Sequence, residues 1–250
     1  MSEAINDQLV LVCGESGTGK SASLRNIEHQ EDWLYANTEA GKRLPFKNKF
    51  RNDGGYKIEE YTQIYELFDV ATADTTCKGV IIDSLTFLMD MVETQLVLAS
   101  SDTQKAWGQF AQFYKVLMQD KVTKLGKPCV FTAHVRTDLN EGKMEMQTSV
   151  PIKGHLKGNG IEAYFSTVVT AKKVPLKALE KYGCSKLLTI TEEEKELGFK
   201  HVFQTRITKE TTGERIRSPM GMFSKEQTYI DNDVQLLLNH LNQYYGVKTK

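Results

Sequence analysis

Net charge is the first thing this 250-residue sequence lacks: 32 Lys and Arg stand against 32 Asp and Glu. The balance excludes a surface that attracts polyanions as a whole and leaves room only for a local one. Long apolar runs are missing too. None approaches the ~20 residues that cross a bilayer, so no membrane association is expected. The first eight residues are polar and acidic, without the charged and apolar regions of a secretory signal, and a cytoplasmic location is expected. Cysteine is sparse, at 13, 77, 129 and 184, with no CxxC pair to hold a metal. Cys13 and Cys129 sit in apolar runs and read as buried, reduced thiols. There are no repeats and no low-complexity linker. With 26% charged and 40% apolar residues the chain can build an ordinary core, and one domain over 1–250 is expected.

What is present alternates. Leu9 to Cys13 is a continuous apolar run ended by glycine, the pattern of a strand buried on both faces. A short helix is expected over Lys20 to His29, and further strands at Trp33 to Ala36, Gly79 to Ile82, Cys129 to Ala133 and Tyr164 to Ala171. Helical patterns fall between them: Ile58 to Ala73, with Tyr61, Ile64, Tyr65 and Phe68 on one face, Leu85 to Ala99, and Gln104 to Lys124. Trp107 and Phe110 to Tyr114 on the last read as core. Strands alternating with helices predict an α/β fold, a mostly parallel twisted sheet with helices on both faces. A late β-hairpin is expected from Val202 to Thr208, a turn at Thr211 to Glu214 and a return at Arg215 to Arg217. A terminal helix over Asp231 to Tyr245 is expected to bury Val234, Leu237, Leu238 and Leu241, with Asp231 or Asn232 as cap and Gly246 as stop. Glu39 to Gly55 and Thr137 to Lys153 show no regular pattern, and loops that long seldom lack a function.

Gly14-Glu15-Ser16-Gly17-Thr18-Gly19-Lys20-Ser21 fits G-x-x-x-x-G-K-[ST] completely. The glycines let backbone N–H groups converge on phosphate oxygens, Lys20 reaches the β- and γ-phosphates, and the Ser21 hydroxyl ligates Mg²⁺. A strand before it and a helix after it are the context the motif needs, and a chance match is on the order of one in a hundred chains of this length. Nucleotide binding, with ATP and Mg²⁺, is therefore expected. Gly79 to Asp83 is a second apolar run, ending in a carboxylate. It places Asp83 at the same sheet edge, near the Mg²⁺ water shell, or simply as the cap of the next helix.

With these residues in hand the chain resembles the RecA-like core ATPases. Trp33 to Glu39 is similar to their second strand, which ends in a glutamate that activates the attacking water; Ile82-Asp83-Ser84-Leu85 is similar to their acidic strand. Val130 to Arg136 resembles the strand carrying a polar γ-phosphate sensor, a place taken here by His134. Lys153-Gly154-His155 through Phe165 resembles the segment returning from a DNA-binding loop, and Arg206 to Lys209 the hairpin that offers cations to a neighbour's nucleotide. The chain begins almost at the first core strand and ends soon after the hairpin. That layout resembles the short RecA-core ATPases of bacteriophages, which act in single-strand annealing or recombination, and implies host cytoplasm.

The residues carry their own argument. Glu39, just past a strand at the phosphate edge, can orient water, or be a solvated loop glutamate. His134 can donate to a γ-phosphate oxygen, or cap its strand. Arg136 projects to the same side. Between Lys42 and Lys57 six cations, among them Lys47, Lys49 and Arg51, meet one anion, Asp53, with Phe46, Phe50 and Tyr56 interleaved. Such a segment tracks single-stranded DNA and stacks its bases, or is an insertion whose aromatics pack on the core. Lys143, Lys153 and Lys157 form a weaker second set. Arg206, Lys209 and Arg215 are candidates to act in trans as an arginine finger does, or form an exposed charged turn. The leading expectation is an Mg²⁺-dependent, DNA-stimulated ATPase that binds single-stranded DNA and assembles as a homo-oligomeric ring or filament. A nucleotide-gated protein-interaction ATPase is the alternative, and a small-molecule kinase, lacking an evident arginine-rich lid, the weakest.

Overall fold

The computed structural model of the chain describes residues 6–142, 144–154, 160–182 and 185–246. Lys143, His155, Lys157 and Cys184 lie outside them.

The apolar runs become the strands of one sheet. β1 (Leu9–Gly14), β2 (Trp33–Asn37), β3 (Tyr56–Lys57), β4 (Gly79–Asp83), β5 (Cys129–His134) and β8 (Thr167–Pro175) are mutually parallel. β9 (Phe199–Gln204) and β10 (Tyr229–Asp231) add antiparallel edges, and the spatial order is β10-β9-β8-β1-β5-β4-β2-β3. One strand, β5, separates the phosphate-loop strand β1 from the acidic strand β4. Along β1 the side chains alternate: Leu9, Leu11 and Cys13 enter one core, Val10 and Val12 the other. The first core is covered by α1 (Gln63–Ala73), α2 (Leu85–Val92) and α3 (Thr103–Val116), the second by α6 (Val234–Tyr245). α4 (Leu176–Leu179) and α5 (Glu192–Leu197) are short outer pieces. The expected fold class, α/β with a mostly parallel sheet and helices on both faces, is the one observed. Phe110, Phe113 and Tyr114 are core, and Cys13, Cys77 and Cys129 are buried free thiols. Among the described residues no helix is long and apolar enough to cross a membrane.

Four local expectations are corrected. No helix runs from Lys20 to His29: only a 3-10 turn forms, Ser21–Leu24. The Ser23 hydroxyl donates to the Lys20 carbonyl and the Arg25 guanidinium to the Ala22 carbonyl, acceptors a helix would need for its own amides. The segment around Thr137 to Lys153 is not patternless. It carries a separate hairpin, β6 (Arg136–Asn140) with β7 (Glu145–Ser149), whose first strand is almost wholly exposed, so no apolar alternation marks it. The late hairpin is built differently. β9 pairs with β8 and β10, while the segment after the Thr211 turn crosses to β7 and β8 through bridges at Thr148–Glu214 and Val168–Arg217. Finally, α6 is capped by Asp233, whose carboxylate accepts from the Leu236 amide, and Gly246 closes it at φ 67°.

Candidate functional site

Parallel strands end together, so β1, β2, β4 and β5 bring their last residues to one edge. Gly14 pairs with His134, and Asn37 with Asp83. Thr38 then pins the chain across β4: its amide donates to the Asp83 carbonyl (2.9 Å) and its hydroxyl to the Ser84 carbonyl (2.7 Å). Glu39 follows directly and is thereby set beside the phosphate loop. A cleft of about 560 Å³ results, and Lys20, Ser21, Glu39, Asp83 and His134 all line it. Residues separated by more than 100 positions meet there.

The loop is closed tightly. Gly19 takes φ 92°, and a Cβ there would come within 2.2 Å of the Asn232 amide nitrogen, which donates to the Gly19 carbonyl. Lys20 is buried. Its ammonium donates to the carbonyls of Gly14 (3.0 Å) and Glu15 (2.8 Å) and lies 3.4 Å from His134 Nδ1. Burial pulls its pKa below the ordinary lysine value, against the charges of Asp83 and Glu39. On its other side, His134 Nε2 lies 3.7 Å from Glu39 Oε1.

Glu39 is 9% exposed at its side chain, and Lys42 holds its other oxygen at 3.0 Å. The His134 ring, and after it Lys42, hold the carboxyl down to about 2 despite its burial. Asp83 is shifted the other way. Burial raises its pKa, and hydrogen bonds from Thr132, Ser21 and Tyr35 oppose the rise. The Tyr35 hydroxyl donates to Asp83 Oδ2 at 3.0 Å, the Thr132 hydroxyl donates to Oδ1, and burial together with the Asp83 charge keeps the phenol protonated. A buried carboxylate and a serine hydroxyl lining the same cleft are a hard-oxygen pair suited to Mg²⁺. No cluster of three or more His, Cys, Asp or Glu stands ready for a metal among the described residues, so phosphate oxygens would have to complete its shell.

From sequence, no role in this cleft falls to Tyr35, Thr132 or Asn232, the last offered only as a helix cap, and Lys42 is offered only among the cations of 42–57. Lys42, three residues from Glu39, carried the only local signal. The others come from distant strands and a helix approach, and nothing in the sequence marks them for this cleft.

Several expected groups are engaged elsewhere. Arg51 is tied to Asp74 and Thr76, so it is a structural cation. Phe50 is 1% exposed and stacks on Tyr35 at 5.2 Å, and Phe46 and Tyr56 pack against the cores. Lys153 pairs with Asp90 and Glu93. Lys47 and Lys49 are exposed. Arg136 turns to Asp138 at 2.8 Å, away from the cleft. Arg206 donates to the Phe223 carbonyl and Arg215 to Glu162, while Lys209 is exposed on its turn. β9 runs antiparallel to β8 and ends at Gln204, opposite Thr170, which pairs with Cys13; the residues from Arg206 to Lys209 that follow are not among those lining the cleft.

A phosphate-loop strand with an acidic strand one position removed from it in the sheet defines the class: a P-loop nucleotide-binding core. Residues 6–201 match the model of a family described as AAA domain, and the chain belongs to that family. No curated protein matches it. Among solved structures it is similar to the crystal structure of the RadB recombinase, with 12% identity, 68% of this chain and 76% of that one covered and a TM-score of 0.37. It is also similar to the flagellar accessory protein FlaH from Methanocaldococcus jannaschii, with 12% identity, 80% and 77% covered and a TM-score of 0.32.

Proposed function

We propose that the protein is an Mg²⁺-dependent ATPase that acts on single-stranded DNA as a ring or filament, in the manner of the short RecA-core annealing and recombination ATPases of phages. The observation that carries the ATPase half is the meeting of Lys20, Ser21, Asp83 and the His134–Glu39 pair in one cleft.

Backbone amides of Gly14 to Ser21 and the Lys20 ammonium bind the β- and γ-phosphates. Ser21 and Asp83 would hold Mg²⁺, which when bound would supply neutralisation of negative charge on the phosphate oxygens. Tyr35 and Thr132 fix the Asp83 carboxylate by donating to its two oxygens. Glu39, held near pKa 2, is a poor proton acceptor before the bond to phosphorus breaks. Its part is to orient the water in line, which is what a loose phosphoryl-transfer transition state asks of the protein. His134 bridges Lys20 and Glu39, so loss of the γ-phosphate at Lys20 is felt at the water-orienting group and at the hairpin β6–β7 that follows directly.

The DNA half is supported by the exposed cations of residues 42–57, above all Lys47 and Lys49. The capture of Arg51, Phe50 and Lys153 in internal contacts favours the second reading, an ATPase whose partner is a protein. Lys209, exposed and not among the residues lining its own chain's cleft, suits action on a neighbouring subunit. ATP hydrolysis measured with and without single-stranded DNA, across an Mg²⁺ titration, tests the proposal. Stimulation supports it, turnover indifferent to DNA leaves the protein-partner ATPase, and absence of turnover removes the enzyme.

A further inference from the structure

The wall of the nucleotide cleft formed by Tyr35, Lys42, Arg43, Leu44 and Pro45 is also a wall of a second cleft of about 810 Å³. That cleft lies between the end of β2, the 41–48 segment and the turn at 53–55. Lys42, Arg43, Lys47 and Lys57 line it against a single carboxylate, Asp53. Arg43 and Lys47 make no hydrogen bond or ion pair among the described residues. Gly55 brings the chain directly onto Tyr35: it sits at φ 111°, and a Cβ there would meet Tyr35 Cδ1 at 2.3 Å.

Two side chains connect the clefts. Tyr35 reaches Asp83 with its hydroxyl and stacks its ring on Phe50. Lys42 is 70% exposed, yet its ammonium lies 3.0 Å from Glu39 Oε2. That contact is the hydrogen bond on the Glu39 carboxylate, since His134 Nε2 stands 3.7 Å from Oε1, and it occupies the side of Oε2 open to solvent.

We propose that the second cleft takes the phosphodiester backbone of single-stranded DNA, and that Lys42 couples it to hydrolysis by leaving Glu39 for a DNA phosphate. This rests on the DNA-dependent reading above. A strand with one negative charge per nucleotide matches a groove in which Arg43 and Lys47 make no ion pair and Lys57 is held only by an exposed pair with Glu59. Withdrawal of Lys42 frees Glu39 Oε2 to accept from the attacking water while His134 stays in place. Lys42 is thus a positioning residue, and its clasp on Glu39 restrains hydrolysis until DNA arrives.

The test pairs anisotropy of a labelled oligothymidylate with steady-state ATP hydrolysis, both with ATP and Mg²⁺ on the full chain. Lys42→Met keeps the length of the side chain and removes its charge. Its basal hydrolysis should rise several-fold and DNA should stimulate it no further, whereas Lys42→Arg should keep the wild-type response. The double variant Lys47→Ser, Lys57→Ser should bind DNA more weakly, with a salt slope flattened by about one and a half, since each single-strand phosphate contact contributes about 0.7. It should still be stimulated when DNA saturates. Wild-type stimulation persisting in Lys42→Met, or no stimulation in the wild type, overturns the coupling. An unchanged slope in the double variant, with wild-type binding intact, overturns the cleft alone. No binding by the wild type at low salt overturns both this inference and the DNA reading.

Discussion

Lys20 has two lives in this fold. Its ammonium is kept inside by the Gly14 and Glu15 carbonyls, and a triphosphate must draw it off them. A ligand at a hundred times its Kd stabilises by about 2.7 kcal/mol, which for a chain of this size is a shift on the order of 5–10 °C in Tm. Lys20→Ala should lose that ATP-dependent shift, measured by thermal denaturation with and without ATP–Mg²⁺. Glu39→Gln keeps the shape and loses the charge that orders water. It should retain ATP affinity while kcat falls by about 10²- to 10⁴-fold, read in single-turnover hydrolysis. The same carboxyl leaves a mark on stability. Its pKa is about 2 in the fold against an ordinary 4.5. A depressed carboxyl binds fewer protons in the folded state, so its contribution is full above about pH 4.5 and is lost as pH falls toward 2. Denaturant titrations of the wild type and Glu39→Gln should therefore converge at the acid end and separate above pH 4.5.

At the scale of elements, the phosphate loop is followed by a 3-10 turn and not by a long helix. The aligned dipoles of several helical turns are missing behind it, and the grip on phosphate rests on the loop's own amides and on Lys20. Its second support is α6: the Asn232 amide, next to the α6 cap, touches the Gly19 carbonyl, and Arg25 donates to the Asn232 carbonyl at 2.9 Å. α6 in turn is held by Val234, Leu237, Leu238 and Leu241 against the second core. Leu237→Ala removes a fully buried side chain and should cost about 2–5 kcal/mol, measured by urea denaturation. Because α6 braces the loop, ATP affinity should fall with it at temperatures where the wild type is intact.

For the molecule as a whole, a net charge of zero means that affinity for any polyanion must come from one place. On the DNA reading proposed above that place is the segment from Lys42 to Lys57, and its cations divide. Arg51 bridges to Asp74 and holds the segment to the end of α1, while Lys47 and Lys49 face solvent. Arg51→Ser should lower Tm and leave the salt dependence of DNA binding unchanged; Lys49→Ser should flatten that dependence and leave Tm unchanged. Differential scanning fluorimetry and anisotropy titrations across a salt series separate the two.

The parallel sheet, its two-faced core and the phosphate loop are legible in the sequence, because each is a local pattern. A run such as Leu9 to Cys13 has no polar face to turn to water and must be central, and Gly14 to Ser21 carries its chemistry in eight consecutive residues. Asp83 and Glu39 are legible once strands are placed, since parallel strands deliver their ends to one edge. The tertiary structure alone decided the rest. It drew Tyr35 and Thr132 onto Asp83, set His134 between Lys20 and Glu39, and turned Arg51, Phe50, Lys153 and Arg215 inward to partners far along the chain. A cation or an aromatic ring reads the same in sequence whether it meets a ligand or a neighbour. Which it meets depends on whether folding brings an opposite charge or an apolar surface within reach, and no spacing along the chain records that distance.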